Sequence, residues 1–373
     1  MFHRPLFRCI GTMLSALLAL ALAARAEIVI GQSAPLSRVN VSLGTDIRDG
    51  ALAWFRQVNQ TGGINGQQLR LVTLDDENSA KISGPNTERL INDHHAMVLF
   101  GYASATLSAP ALPLVEKYGV PLFGPFTGAD SIHDRDQWVY TVRASYRDEM
   151  RAIVSMWSGV GLTRFAVVHY DDAVGKQNFD TVREMLADVR EARAISIPIP
   201  RNSDLPRDVL ERIRASDAQV IIFTTLAEPI AAIVRLVKSA SLFYNMIALS
   251  FAGTSQLRDA LGVEGHGLAM ATVVPRYDDL SLPVAREYRD AMAAAGLGTL
   301  SYASFESYLA AKALTEALRR AGPSPTAASF VKAMGSIRHV DLGGYSLHFD
   351  RGSHHGSRYV HLTVLDRNGR FKD

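Results

Sequence analysis

The sequence predicts an α/β protein made of two doubly wound lobes, and three observations carry that prediction. Short apolar runs that stop at glycines or small-residue loops alternate with segments of helical spacing along most of the chain. The alternation pauses near Arg143 and then starts again with a second set of similar size. At 373 residues, the chain is also longer than a domain with a single hydrophobic core usually is. Strands that alternate with helices form parallel sheets with helices on both faces.

The first 26 residues have the pattern of a cleaved signal peptide. Arg4 and Arg8 precede the apolar run Ile10–Ala23, and Ala24-Arg25-Ala26 is an A-x-A cleavage signal. A membrane anchor is the alternative, but this run is shorter than the roughly 20 residues that a spanning helix needs. We expect cleavage after Ala26 and export to the periplasm.

Charge and cysteine content exclude several kinds of partner and chemistry. The formal net charge is +2, and loss of residues 1–26 removes three arginines and no acid, which leaves −1. This balance gives no attraction for nucleic acid or for an anionic membrane surface. The only cysteine is Cys9, so the predicted mature chain has no disulfide and no thiol chemistry.

The predicted elements of the first lobe follow one another in a regular order. A strand at Glu27–Ser33 precedes a helix at Gly44–Asn59, whose apolar residues recur every three or four positions. A glycine-rich turn, Asn59–Gly66, leads to a strand at Leu69–Leu74 and a helix around Pro85–His94.

The stretch Phe100–Asp130 predicts a strand–helix–strand unit with a ligand site. Two apolar runs, Met97–Gly101 and Val120–Phe123, flank the helical spacing of Ala109–Tyr118, and each run ends in a small-residue loop. Parallel strands bring both loops to the same sheet edge, where open α/β sheets bind small ligands. Hydroxyl groups in these loops come from Ser104, Thr106, Ser108 and Thr127.

The second lobe is predicted to start after the run Trp138–Val142. Its strands are expected at Arg164–His169, Ala194–Ile199, Ala218–Thr224 and Met246–Leu249, with helices between them. The run Leu268–Pro275 resembles a return crossing, after which helices at Val284–Ala295 and Ser304–Ala321 fit the first lobe. Two strand-like segments, Tyr345–Phe349 and Tyr359–Leu365, predict a closing two-stranded ribbon.

The chemistry of an enzyme, cofactor or metal site is not indicated. The sequence has no phosphate loop and no G-x-S-x-G nucleophile turn, and Gly159-Val160-Gly161 falls late in a helix rather than after a strand. Adjacent histidines, as in His94-His95 and His354-His355, point in different directions and chelate poorly. We therefore expect no catalytic residue, no cofactor and no metal.

Several motifs together resemble a known family. They are Ser33-Ala34-Pro35-Leu36, Thr61–Gly66, Asp75-Asp76, Gly119-Val120-Pro121 and Tyr170–Gly175. The chain from Glu27 onward resembles the type I periplasmic solute-binding proteins of ABC importers, in the Leu/Ile/Val-binding group. That resemblance implies two Rossmann-like lobes joined by three hinge crossings near Arg143, Thr272–Pro275 and Leu342–Tyr345. Lobe 1 would comprise residues 27–143 and 275–342, and lobe 2 residues 144–274 and 343–373.

The same resemblance implies a set of ligand-binding residues. The loop after the third strand contributes Ser104, Ala105 and Thr106, and the loop after the fourth contributes Phe126 and Thr127. Lobe 2 would close over the ligand with Tyr146, Val174, Leu226 and Phe251.

The sequence departs from the family where amino-acid binders present an acid to the ligand's ammonium group. The approximate alignment places Phe251 there, either as a ligand contact or as a core residue. Positions often filled by tyrosine are Leu43, Val174 and Leu226. Glu306 or Asp172 is a possible substitute acid; otherwise the ligand is a carboxylate with an apolar or aromatic body, since an unpaired buried ammonium is costly.

The leading interpretation is the substrate-binding component of an ABC transporter. It would capture a small solute, an amino acid or a related carboxylate or amide, and deliver it to a membrane permease. A soluble ligand sensor of the same fold is the alternative. A third reading is an enzyme that uses Asp171, Asp172 or Glu306 as acid–base groups, and we rank it last.

Overall fold

The structure is a computed structural model that describes residues 27–133, 138–201, 203–350 and 352–372. The predicted signal peptide, residues 1–26, lies outside the described residues. Within them, no helix combines the length and apolar character that a membrane span requires.

Fourteen strands are described, and they form two large sheets and one hairpin. In chain order they are β1 Glu27–Ala34, β2 Gln68–Asp75, β3 Val98–Phe100, β4 Leu122–Phe123, β5 Val139–Tyr140, β6 Arg164–Tyr170, β7 Arg193–Ile199, β8 Val220–Thr224, β9 Asn245–Ala248, β10 Leu268–Thr272, β11 His339–Asp341, β12 Ser346–His348, β13 His361–Leu365 and β14 Phe371–Lys372.

Helices cover both faces of the two large sheets. In chain order they are α1 Val41–Gln60, α2 Ala80–Asn92, α3 Ala105–Ser108, α4 Leu112–Tyr118, α5 Asp130–His133, α6 Tyr146–Gly159, α7 Ala173–Leu186, α8 Val209–Ala215, α9 Ala227–Ser239, α10 Thr254–Leu261, α11 Pro283–Ala294, α12 Tyr302–Arg320 and α13 Ala327–Ser336.

The two sheets confirm the predicted α/β class with doubly wound lobes. The first has the strand order β2-β1-β3-β4-β5, and every pair in it is parallel. The second has the order β14-β13-β10-β9-β8-β6-β7, parallel from β10 to β7. Its last two strands, β13 and β14, extend the edge in antiparallel fashion. In each sheet the first strand lies inside and the order reverses beside it, which places the loops after neighbouring strands at one edge.

Helices α1 and α12 form the centre of the first lobe's main core. Almost every residue of α12 from Tyr302 to Leu318 is buried, as expected for a helix packed on several sides. The two helices approach closely at Gly50, where a β-carbon would lie 2.0 Å from the carbonyl oxygen of Ser304. Trp54 donates its indole N–H to the Thr315 hydroxyl at 2.9 Å in the same interface. This packing fixes the start of α12, including Glu306, relative to the sheet.

The predicted closing ribbon is wrong. Segment Ser346–His348 pairs with β11 rather than with β13, and β13 pairs with β10 and β14. Leu342–Tyr345 forms the turn of the β11–β12 hairpin, where Gly343 and Gly344 have φ of +101° and +89°. Leu347 and Phe349 pack in the first lobe's core. The β11–β12 hairpin therefore packs against the first lobe.

A buried carboxylate joins α1 to the N-terminus of α12 and gives the first prediction. The Ser301 hydroxyl, which caps α12, donates to Asp46 at 2.7 Å, and burial raises the pKa of Asp46 to about 6 despite this bond. A raised carboxyl pKa means that the folded state holds the proton more tightly than the unfolded chain. The contribution of Asp46 to the free energy of unfolding therefore falls as pH rises from about 4 to about 6 and is level above that.

We expect Asp46→Asn to remove roughly 2–3 kcal/mol of that fall, since one pKa unit corresponds to about 1.4 kcal/mol. Urea unfolding of both proteins at pH 4.5 and 7.5 measures the difference. An identical pH dependence of the free energy of unfolding in the two proteins would show that folding does not raise the pKa of Asp46.

Candidate functional site

Loops at the carboxyl edges of the two sheets contact each other, and we call the region where they meet the cleft. Gln256 donates to the Ser42 hydroxyl at 3.0 Å on one side, and Gln177 donates to Asp130 at 3.1 Å on the other. In a third contact the hydroxyls of Thr127 and Tyr146 lie 3.2 Å apart. The two lobes therefore touch at the point where the sequence places the ligand.

The loop after β3 holds three of the predicted site residues. Ser104 caps α3, since its hydroxyl accepts the N–H of Leu107 at 3.2 Å. Ala105 is half-buried and Thr106 is exposed. Thr106 makes no side-chain hydrogen bond among the described residues, so its hydroxyl is available to a ligand.

The loop after β4 supplies the cleft wall on the side of the first lobe. Thr127 is fully buried, and its hydroxyl accepts the N–H of Ala129 at 3.2 Å in addition to its contact with Tyr146. The ring of Tyr146 lies against Phe251 with centroids 5.1 Å apart. Burial raises the pKa of Tyr146, with the Arg143 charge opposing that effect. Tyr146 is thus a neutral hydroxyl on an aromatic wall.

Val174 and Leu226 follow β6 and β8 at the carboxyl edge of the second sheet. Their exposed fractions are 47% and 36%, high for apolar side chains. Val39 and Val41 follow β1 and are also exposed, whereas Leu43 packs with Phe126 around Ile47. The second lobe therefore has exposed apolar side chains at its edge, at two of the positions where the family resemblance implied tyrosine.

A buried charged cluster lies behind the wall formed by Phe126, Thr127, Tyr146 and Phe251. Its centre is Arg143, 1% exposed, whose guanidinium carbon lies 5.0 Å from the centroid of the Phe126 ring. One Arg143 nitrogen lies 3.6 Å from Glu149, and another lies 3.4 Å from Glu306. Arg143 also donates through Nη2 to the Ser250 hydroxyl.

The two carboxylates of this cluster differ in their surroundings. Glu149 accepts from the backbone N–H and from the hydroxyl of Ser250, both at 2.7 Å, and burial raises its pKa against the effect of Arg143. Glu306 accepts no hydrogen bond from any described residue. Burial raises the pKa of Glu306 to about 7, with Arg143 opposing and Glu149 adding to the rise.

The other candidate acid, Asp172, is committed to local structure. It caps α7 by accepting the N–H of Gly175 at 2.8 Å, and Arg201 pairs with it at 2.7 Å. Burial opposes these bonds, but together they lower the pKa of Asp172. Glu306 is therefore the acid that remains available beside the cleft. In the described part of the chain, no group of three or more metal-ligating side chains comes together.

Sequence reasoning identified the loops but missed most of the charged cluster. It interpreted Arg143 only as a crossing point, and it did not identify Glu149. The available signal was Arg143, the one charged residue in the run Trp138–Ala144, because a buried charge needs partners.

This geometry, two α/β lobes that meet across a polar cleft, defines a two-lobed ligand-binding protein. A family model for the periplasmic binding proteins matches residues 27–370, so the chain belongs to that family. The resemblance to the Leu/Ile/Val-binding group is confirmed.

Individual relatives agree with that assignment. A Leu/Ile/Val-binding protein homolog from Brucella suis is 25% identical over 92% of this chain and 90% of its own. A substrate-binding periplasmic protein from Ralstonia solanacearum is 31% identical, with a TM-score of 0.83 over 92% of this chain and 99% of that one. A possible leucine/isoleucine/valine-binding protein from Rhodopirellula baltica shares the fold with a TM-score of 0.86 at 24% identity, over 94% of this chain and 97% of that one.

Proposed function

We propose that this protein is the extracytoplasmic substrate-binding component of an ABC transporter. It captures a small solute, an amino acid or a related carboxylate or amide, between its lobes and presents it to a membrane permease. The observation that carries this proposal is the contact of Thr127 with Tyr146 across the cleft, beside the wall formed by Phe126 and Phe251. A ligand that touches both sides stabilises the closed arrangement of the lobes.

The names of two relatives support the class of ligand and the location. One is called a Leu/Ile/Val-binding protein homolog and another a substrate-binding periplasmic protein. In this proposal residues 1–26 direct export to the periplasm and are removed. In this proposal the cleft binds a solute without catalysis: Asp172 is paired with Arg201, and Asp171 is paired with Lys176 at 3.1 Å.

We propose lobes that follow the predicted bounds, with one change in the third crossing. The first lobe contains residues 27–143 and 275–349, and the second contains 144–274 and 361–372. Packing of Leu347 and Phe349 in the first core supports a third crossing over residues 350–360. Within the cleft, the ligand contacts are Ser104, Ala105, Thr106, Phe126, Thr127, Tyr146 and Phe251, with Val174 and Leu226 at the rim.

Thermal unfolding of residues 27–373 against a ligand panel tests the proposed function. The panel contains branched-chain and aromatic amino acids, their amides, dicarboxylates and aromatic acids. A ligand at 100 times its Kd adds about 2.7 kcal/mol to the free energy of unfolding, which raises Tm by a few degrees. The soluble-sensor alternative predicts the same shift but no dependence of solute uptake on this protein in cells that carry the permease.

Thr127→Ala gives a site-specific version of the same test. Loss of a neutral hydroxyl contact weakens binding by roughly 0.5–1.5 kcal/mol, and by more where the ligand group is charged. Calorimetric titration of the best ligand measures the change, with Thr61→Ala as the control because Thr61 is exposed and follows the C-terminal end of α1, opposite to the Ser42 end. Equal affinities in the two variants would show that the Thr127 side chain does not contact the ligand.

A further inference from the structure

The Arg143 cluster has hydrogen-bonding capacity that the protein itself does not use. Nε and Nη1 of Arg143 are buried and have no hydrogen-bond acceptor among the residues that the structure describes. The Glu306 carboxylate, 6% exposed, has Arg143 Nη1 at 3.4 Å as its only ionic contact and accepts no hydrogen bond from the described residues. Buried donors and acceptors are nearly always satisfied, so a group with this much unused capacity points to a ligand.

The charge of the cluster is also unbalanced. Arg143 contributes one positive charge, and Glu149 already neutralises it while accepting two hydrogen bonds from Ser250. When Glu306 is ionised, the cluster carries one net negative charge in a buried position. A buried charge without a full partner is costly, so this position favours either a proton on Glu306 or a donor or cation supplied from the cleft.

The cluster adjoins the residues that are proposed to contact the ligand. Phe126, whose ring covers the Arg143 guanidinium, precedes Thr127 in the chain, and Ser250 precedes Phe251. Arg143 itself lies three residues before Tyr146. Arg143 thus contacts Phe126 and interacts electrostatically with Tyr146, two of the four residues of the cleft wall.

We infer that Arg143 and Glu306 form the polar floor of the ligand site and that Glu306 selects ligands whose head group donates a hydrogen bond. This inference rests on the proposed solute-binding function. The head group accepts from Arg143 Nε or Nη1 and donates to the Glu306 carboxylate, so it is an amine next to a carboxylate or a primary amide. A bare carboxylate satisfies Arg143 but places its negative charge against Glu306.

Four ligands with one carbon skeleton test this inference: leucine, leucinamide, 4-methylpentanamide and 4-methylpentanoate. A second set built on phenylalanine and 3-phenylpropanoate covers an aromatic body. Affinities at pH 8 are measured for the unaltered chain, for Glu306→Gln and for the control Glu316→Gln. Glu316 lies on the same helix but at the surface, where it pairs with Arg319 and Arg320.

In the unaltered chain we expect the donor-bearing ligands to bind at least tenfold more tightly than the bare carboxylate. Glu306→Gln should weaken binding of the amino acid at least tenfold and strengthen binding of the bare carboxylate, while Glu316→Gln should change neither. An amino acid preference that is the same in all three proteins would overturn the inference and leave the solute-binding function standing. No binding of any panel member to any of the three proteins would overturn both.

The pH dependence of the unaltered chain gives a second test that needs no variant. The charged and titratable groups that face Glu306 are Arg143, Glu149 and Tyr345. Ionisation of Glu306 as pH rises from 6 to 8.5 should weaken binding of 4-methylpentanoate several-fold and should not weaken binding of leucine. His133, near Arg143, does not contribute in this range because burial lowers its pKa to about 3. A parallel pH dependence for both ligands contradicts a selective role of Glu306.

Discussion

Arg143→Met should destabilise the protein by about 3–5 kcal/mol, the largest single effect expected here. The substitution keeps a side chain of similar length but leaves Glu149 and Glu306 buried without a cation. Removal of one partner from a buried ion pair has this cost because the remaining charge is not solvated. The free energy of unfolding in urea at pH 7.5 measures the loss.

A matched arginine separates this effect from loss of charge in general. Arg147 is 41% exposed and lies 3.7 Å from Asp130 and 3.6 Å from Glu184. We expect Arg147→Met to cost no more than about 1 kcal/mol, as for other exposed pairs. Adding Glu149→Gln to Arg143→Met should restore part of the stability. A cost for Arg143→Met as small as that of Arg147→Met would mean that the cluster is solvated.

Gly50→Ala should destabilise the first lobe by roughly 3 kcal/mol. A β-carbon at position 50 would lie 2.0 Å from the carbonyl oxygen and 2.8 Å from the carbonyl carbon of Ser304. Helices α1 and α12 would have to move apart, and overpacking of a tight interface typically costs 1–3 kcal/mol or more. The shift of the urea midpoint measures the effect.

The sign of the Gly50 effect is informative, because alanine in place of glycine stabilises an isolated helix by up to about 1 kcal/mol. Gly335, an exposed helical glycine in α13, has no atom within 4 Å of its ideal β-carbon position. We expect Gly335→Ala to stabilise the protein slightly. If Gly50→Ala also stabilises it, the two helices are not in contact at Gly50.

The sequence predicted the two sheets well because their strands are buried and carry continuous apolar runs. Segments such as Arg164–Tyr170 and Val220–Thr224 have strong local patterns that end at loops, and the parallel connections follow general rules. The C-terminal pairing failed for a physical reason. Strand β11, with three residues, is too short for a periodic signal, so the true partner of Ser346–His348 was not visible.

The site was predictable only where it depends on local features. The loops after β3 and β4 are marked by small residues that follow buried strands, and these were found. The charged cluster joins residues 143, 149, 250 and 306, which no sequence spacing relates. Only the packing of α12 brings Glu306 to Arg143. The sequence could therefore name Glu306 as a candidate for the acid that is missing at Phe251, but it could not show that Glu306 lies beside Arg143.

The contact between Ser42 and Gln256 has a practical consequence for following the protein in solution. The single cysteine of the whole sequence is Cys9, so the chain from Glu27 onward contains no thiol. A cysteine introduced at position 42 would be unique there and would carry an environment-sensitive dye at the mouth of the cleft, 3.0 Å from the side chain of the opposite lobe. Movement of the lobes would change the emission of that dye, and the protein would serve as an optical reporter of its own solute.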